Sequence, residues 1–257
     1  MRVTSNLQWP ETPFARPDRF FGESEKFVVA LDVEWTKNYK IKNGSRPFCY
    51  SLVLLHWPEE GTDLTSYPTT FGFKSVYVTN VDEEPALIAS LDSDLQAWLA
   101  SDSSLTGHQL SSDLSVVKNA VDQAALPGVD GAYDLWRTRR EEDGRVFDTR
   151  YDADHLPLGA SRRLVDVCGD LKLDVTQPEL ARGSMTKLQR DFLDTGNELL
   201  REQLLTLNVR HSLSTALVAC LGLGLVGLGV RNVNQLVHQE MWDLVDYVRS
   251  SQFEPLL

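Results

Sequence analysis

The sequence predicts an α/β domain, a sheet flanked by helices, from two kinds of hydrophobic pattern. In residues 27–36 (Phe-Val-Val-Ala-Leu-Asp-Val-Glu-Trp-Thr) a mostly β-branched apolar run leads into two carboxylates, which is typical of a buried strand. Residues 47–57 and 71–78 have strand character too, and the first of these is expected to pair antiparallel with residues 27–36. Residues 83–99 and 198–221 instead repeat apolar residues every three or four positions, as helices do.

Length and composition are those of a globular protein. The 257 residues suit one large α/β domain, and 42% hydrophobic with 24% charged residues is ordinary for such a protein. The three cysteines are far apart and lack metal-ligand spacing, and no basic segment leads into an apolar one at the N-terminus. A reducing compartment, cytoplasmic or nuclear, is therefore expected, while the oligomeric state is not indicated.

The remaining elements follow in chain order. Residues 1–26 contain three prolines and predict an extended surface arm that precedes a single domain over residues 27–257. Residues 127–145 are rich in Gly, Asp and Arg and predict a loop, and residues 178–195 predict a polar segment lying over a groove. Short helices are expected over residues 162–173 and 233–248.

The helix predicted over residues 198–221 continues into an unusually apolar stretch. Residues 212–230 carry no charge, which is long enough to raise a transmembrane span. Four glycines interrupt the stretch, and its first half continues an amphipathic helix, so a buried helix is the better interpretation and no membrane association is expected. The apolar stripe of this helix contains Leu204, Leu207, His211, Thr215 and Val218.

Asp32 and Glu34 are the first candidate site residues. They lie two positions apart at the end of the predicted strand, so their side chains point to the same face. Two adjacent carboxylates repel each other unless a cation lies between them, and hard oxygen ligands suit Mg²⁺ or Mn²⁺. The alternative is a strand end with two solvated acids. Further along, Asp113 is placed in the first turn of a helix that runs through Ala120, where capping is the alternative role.

Several basic residues are candidates for phosphate contacts, although the net charge of −12 argues against coating nucleic acid by bulk electrostatics. Four of them fall within ten residues that contain no acid, directly after the Asp32/Glu34 strand. A solvated loop is the alternative for that run. The candidates are Lys37, Lys40, Lys42, Arg46, Lys187 and Arg190, and Trp35 and Tyr39 are aromatic residues that would stack on a terminal base or pack in the core.

Together, Asp32-x-Glu34-x-Thr36, then Gly107-His108-x-x-x-x-Asp113-Leu114, then the helix around His211 resemble the three sequence blocks of the DEDD superfamily of 3′→5′ exonucleases. That superfamily has the ribonuclease H-like fold and includes polymerase proofreading domains and ribonuclease D. The resemblance covers roughly residues 27–221. It implies that Asp32, Glu34 and Asp113 hold two divalent cations that hydrolyse phosphodiester bonds at single-stranded DNA or RNA ends.

The third block departs from the family pattern, which in tyrosine-type members is Tyr-x-x-x-Asp followed four residues later by Thr. Setting Thr215 on that Thr places His211 at the position of the Asp and Leu207 at the position of the Tyr. In a rival alignment His211 is the general base of the histidine-type members, and Ala216 stands where their Asp should be. Either way one acid is missing.

His211 therefore has three candidate roles: a nitrogen ligand that favours Mn²⁺, a general base, or a hydrogen-bonded core residue. Thr36 and His108 are candidates for holding carboxylates or phosphate by hydrogen bonds. The predicted function is a metal-dependent 3′→5′ exonuclease. The alternative is a degenerate member that binds nucleic acid or a protein partner.

Overall fold

The computed structural model describes residues 1–7, 26–36, 44–58, 68, 70–121, 125–141, 145–181, 183–227 and 229–257. Within these residues, six strands form one mixed sheet in the order β1-β4-β3-β2-β5-β6. The strands are β1 (Arg2–Ser5), β2 (Phe27–Thr36), β3 (Arg46–His56), β4 (Gly72–Tyr77), β5 (Ser104–Gly107) and β6 (Val146–Asp148).

Strand directions identify the sheet type. The central strand β2 pairs antiparallel with β3 and parallel with β5, which in turn pairs parallel with β6. On the other side, β3 pairs antiparallel with β4, and β4 antiparallel with β1. A mixed sheet of this order, flanked by helices, confirms the predicted α/β, ribonuclease H-like fold class.

Seven α-helices surround the sheet in the described part of the chain, and a short parallel pair, β7 (Leu173–Asp174) and β8 (Arg231–Asn232), lies apart from it. The helices are α1 (Glu84–Leu99), α2 (Leu110–Ala120), α3 (Pro127–Thr138), α4 (Leu164–Asp170), α5 (Met185–Thr195), α6 (Glu198–Gly222) and α7 (Val233–Met241).

Alternation along β2 divides the core into two layers. Val29, Leu31 and Val33 pack in one hydrophobic cluster with α1 and α2, whereas Val28 and Ala30 pack in the other with α6. The even-numbered face of β2 is therefore the α6 face, and Asp32 and Glu34 continue that face beyond the core.

Helix α6 is the core helix that the sequence predicts. It is long and apolar enough to cross a membrane, but 94% of its most apolar window is buried inside the fold. Burial on nearly all sides explains its continuous apolar character.

One prediction about the intervening segments is wrong. Residues 127–138 form α3 rather than a loop, because Gly128 lets α3 approach α1 so closely that a Cβ there would lie 2.1 Å from a backbone oxygen of α1. Residues 185–195, within the segment predicted to be polar and to lie over a groove, form the helix α5, in which Leu188 and Phe192 recur at helical spacing and are buried.

Element boundaries differ from the predictions at three places. The helix expected over residues 162–173 is the shorter α4, and the one expected over 233–248 ends at Met241, before a 3₁₀ turn at Asp246–Arg249. At the N-terminus, Arg2–Ser5 are extended but join the sheet as β1 instead of lying apart from it. The rest of the predicted arm, residues 8–25, lies outside the described residues.

Candidate metal centre

Asp32 and Glu34 meet His211 where the end of β2 crosses α6. One donor atom from each of these three side chains lies within 4.8 Å of the other two. His211 Nδ1 is 3.3 Å from Glu34 Oε1 and 3.7 Å from Asp32 Oδ2, and all three side chains are 18–19% exposed. The sheet and the core helix thus bring two carboxylates and one imidazole nitrogen to a common point that solvent can reach.

The distances from His211 Nδ1 to the two carboxylates are short enough for one divalent ion to bind the nitrogen together with either oxygen. Ligands about 2.1 Å from such an ion lie about 3.0 Å apart when adjacent and about 4.2 Å apart when opposite. The two His211 distances fall between these limits. Carboxylate oxygens with one imidazole nitrogen form a donor set that suits Mn²⁺ better than Mg²⁺.

Gln177 fixes the orientation of the His211 ring. Its side-chain Oε1 lies 2.9 Å from His211 Nε2 and accepts the hydrogen bond from that nitrogen. The other ring nitrogen, Nδ1, then faces the two carboxylates. A hydrogen bond of this kind on the far nitrogen is the usual support of a metal-binding histidine.

Without a cation, the same geometry favours a protonated His211. Burial alone lowers the pKa of His211, but hydrogen bonds to Asp32 and Glu34 and the charges of these acids outweigh burial and raise the pKa to about 10. An imidazolium would then neutralise part of the acid cluster. A divalent ion and this proton therefore compete for the same place.

Asp113, on α2, is near the trio, but its carboxylate is not among the donor atoms that converge within 4.8 Å. Its side chain is buried, the residue being 4% exposed, and it accepts a hydrogen bond from the backbone N–H of Val33. Burial, together with the charges of Asp32 and Glu34, raises the pKa of Asp113 well above its usual range. Asp113 is close enough to interact with both acids, and it is in the first turn of its helix as predicted.

Asn208 is a site residue that the sequence analysis missed. Its Nδ2 donates to Asp32 Oδ2 at 2.6 Å, while its Oδ1 accepts from the Ser51 hydroxyl and from Cys49 Sγ. Ser51 is the direct cross-strand neighbour of Asp32 on β3, so one amide bridges this pair. The available signal was a polar amide three residues before His211 in an apolar helix, which places both on one face.

His108 and Thr36 make hydrogen bonds to side-chain and backbone groups near the site. Nδ1 of His108 is 3.0 Å from the Thr149 hydroxyl oxygen, and Nε2 of His108 is 2.8 Å from the carbonyl oxygen of Arg162. It also lines the cavity described below. Thr36 donates to the carbonyl oxygen of Arg46 at 3.4 Å.

Of the predicted phosphate-binding residues, the structure describes Arg46 on β3 and Lys187 and Arg190 on α5. Lys37, Lys40, Lys42 and Tyr39 lie outside the described residues, and Arg46 donates to the carbonyl oxygen of Ala120 at 2.6 Å. Lys187 and Arg190 are exposed on α5, where they share one acid, Asp191, at 2.6 and 3.8 Å. Trp35 is partly buried against the core.

A cavity of about 250 Å³ opens beside Asp32 and His211. Its walls include His108, Arg163, Gln177 and the apolar side chains of Leu164 and Val175. The far wall holds Arg210, which is fully buried and makes two hydrogen bonds, of 3.1 and 3.2 Å, to Glu179. Glu179 also accepts from the Tyr247 hydroxyl at 2.7 Å, so a buried ion pair anchors the segment that carries Gln177.

No protein-family model matches the chain, and no curated protein is similar to it at a significant level.

Proposed function

We propose that this protein is a metal-dependent 3′→5′ exonuclease that acts on single-stranded DNA or RNA ends inside the cell. The observation that carries the proposal is the convergence of Asp32, Glu34 and His211 on one point, with Asp113 beside them. These are the residues that the resemblance to the DEDD superfamily selects from the sequence. The missing acid of the third block is then replaced by an imidazole nitrogen.

Each residue has a role that follows from its contacts. Asp32 and Glu34 would supply oxygen ligands to a divalent cation, His211 would supply Nδ1, and Asp113 would support a second cation. Asn208 keeps the Asp32 carboxylate oriented, because its amide N–H occupies one lone pair of Oδ2. Divalent ions bound in such a site activate water and stabilise the leaving oxygen of a phosphodiester.

A second candidate function is supported by the electrostatics of the same residues. A His211 imidazolium, with a pKa near 10, neutralises the acid pair without any metal ion. In that case the protein would be a catalytically inactive relative of the DEDD exonucleases that binds nucleic acid or a protein partner. Measurements of metal binding and of strand hydrolysis distinguish the exonuclease from the inactive binding protein.

The experiment uses 5′-labelled single strands with Mn²⁺, Mg²⁺ or EDTA. The parent protein should shorten the strands from the 3′ end, faster with Mn²⁺, and leave circular single strands intact. Asp32→Ala should reduce hydrolysis to background because it removes one of the two carboxylates of the cluster. Asp130→Ala, which removes an acid that is paired with Lys118 and half exposed, is the matched control and should act like the parent. Equal activity of Asp32→Ala and parent would refute the proposal.

A further inference from the structure

The segment between α3 and α4 carries exposed arginines and an exposed tyrosine, and it ends at the cavity beside the metal centre. Arg140 and Arg163 are 73% and 76% exposed at their side chains, and Tyr151 is 38% exposed. Arg150 and Arg162 lie between them in the chain. These five residues, Arg140, Arg150, Tyr151, Arg162 and Arg163, are called the arginine track below.

At one end the arginine track borders the cavity that opens beside the metal centre. Arg163 lines the same 250 Å³ cavity as Asp32 and His211. The carbonyl oxygen of Arg162 is bonded to His108 at 2.8 Å and accepts from Arg150 at 3.1 Å.

At the other end, the track leads into a second cavity of about 480 Å³, which is lined by Arg140, Tyr151 and Asp154 among others. Arg162 forms an ion pair with Asp154 at 2.8 Å, and Arg140 donates a hydrogen bond to the carbonyl oxygen of Tyr151 at 3.5 Å. The side chains of the arginine track therefore extend from the cavity beside the metal centre to the second cavity.

The charge of this region differs from that of the whole chain. Residues 137–163 contain seven arginines and six acids, whereas the chain carries a net charge of −12. Two of those acids are occupied within the fold: Asp148 is buried and accepts from backbone amides and from Trp136, and Asp152 is bonded to Arg139 at 2.8 Å. Arg140 and Arg163 each lie 3.7 Å from a carboxylate, Asp152 and Asp166 respectively, so these exposed arginines are ion-paired on the surface. Such exposed pairs contribute little to stability, and each guanidinium keeps further N–H donors for a phosphate.

We propose that the arginine track binds the body of a single-stranded nucleic acid whose end enters the metal centre. The proposal rests on the function proposed above and adds the direction in which the strand leaves the site. Guanidinium groups bind phosphates in a bidentate manner, and an exposed tyrosine ring stacks on bases without regard to sequence. The strand therefore runs towards α3, and not towards Lys187 and Arg190 on α5.

The test measures the anisotropy of labelled single strands of about 12 nucleotides in EDTA, where no hydrolysis occurs. Arg140→Glu/Arg163→Glu should weaken binding on the order of tenfold and lower the slope of log K against log salt by about 1.4, the value for two lost phosphate contacts. Arg2→Glu/Lys172→Glu is the control because it changes the net charge equally at exposed sites elsewhere. Tyr151→Ala should weaken binding with an unchanged salt slope.

Two outcomes overturn the proposal. One is equal affinity of the track variant and the Arg2→Glu/Lys172→Glu control, and the other is a larger loss in Lys187→Glu/Arg190→Glu than in the track variant. Hydrolysis by the parent protein is scored separately. If the parent protein hydrolyses strands but the track variant binds them as well as the control does, only the proposed binding role of the track is refuted. If the track variant loses affinity but the parent protein does not hydrolyse strands in Mn²⁺, only the proposed exonuclease function is refuted.

Discussion

His211 makes the stability of the metal-free protein depend on pH in a direction that a bound cation should reverse. Its pKa is raised from the ordinary value of 6.5 to about 10 in the folded protein. Between these values the folded state holds a proton that the unfolded state has released, so the free energy of unfolding falls as pH rises towards 10. The raised pKa of Asp113 acts in the same direction, because a buried acid is more stable protonated.

The magnitude follows from the interval between the two pKa values. Each pH unit within it is worth about 1.4 kcal/mol, which sets an upper limit on the order of 5 kcal/mol for His211. For a chain of this size, that corresponds to a fall in Tm on the order of 10 °C between neutral pH and pH 10. Since a ligand histidine must be deprotonated, stabilisation by Mn²⁺ should instead grow over the same range.

Thermal unfolding across this pH range, in EDTA and in Mn²⁺, measures both effects. His211→Asn keeps a polar atom near the position of Nδ1 but cannot titrate, so its Tm in EDTA should depend less on pH than that of the parent. A parent Tm in EDTA that is flat from neutral pH to pH 10, or a Mn²⁺ shift that does not grow with pH, would refute the reasoning.

Three further predictions concern residues around the site. Arg210→Met should lower the free energy of unfolding in urea by about 3–5 kcal/mol because it leaves Glu179 buried without its partner, and adding Glu179→Gln should recover part of the loss. Gly128→Ala should cost about 1–3 kcal/mol by forcing α3 away from α1, whereas Gly169→Ala, whose Cβ would contact nothing within 4 Å, should cost no stability. Asn208→Leu should weaken Mn²⁺ binding by about 10–100-fold in calorimetry, and unchanged affinity would exclude a supporting role for this amide.

The sequence by itself determined the parts of the site that depend on local geometry. Because side chains alternate along a strand, an apolar run that ends in Asp-x-Glu places Asp32 and Glu34 on one face wherever the strand lies. The same holds for Asp113 in the first turn of α2, since the apolar positions that follow it recur at helical spacing. These patterns also predicted the α/β fold class.

Only the tertiary structure decided which residues contact His211 and Asp32. Gln177, the partner of His211, lies 34 positions earlier, and Asn208 reaches Asp32 across 176 positions, so no local pattern links them. Helix α3 likewise forms from a Gly- and Asp-rich segment of low helix propensity because Gly128 permits close packing on α1. Local periodicity is set by backbone geometry, whereas these contacts depend on the distances between packed elements, and those distances exist only once the core has assembled.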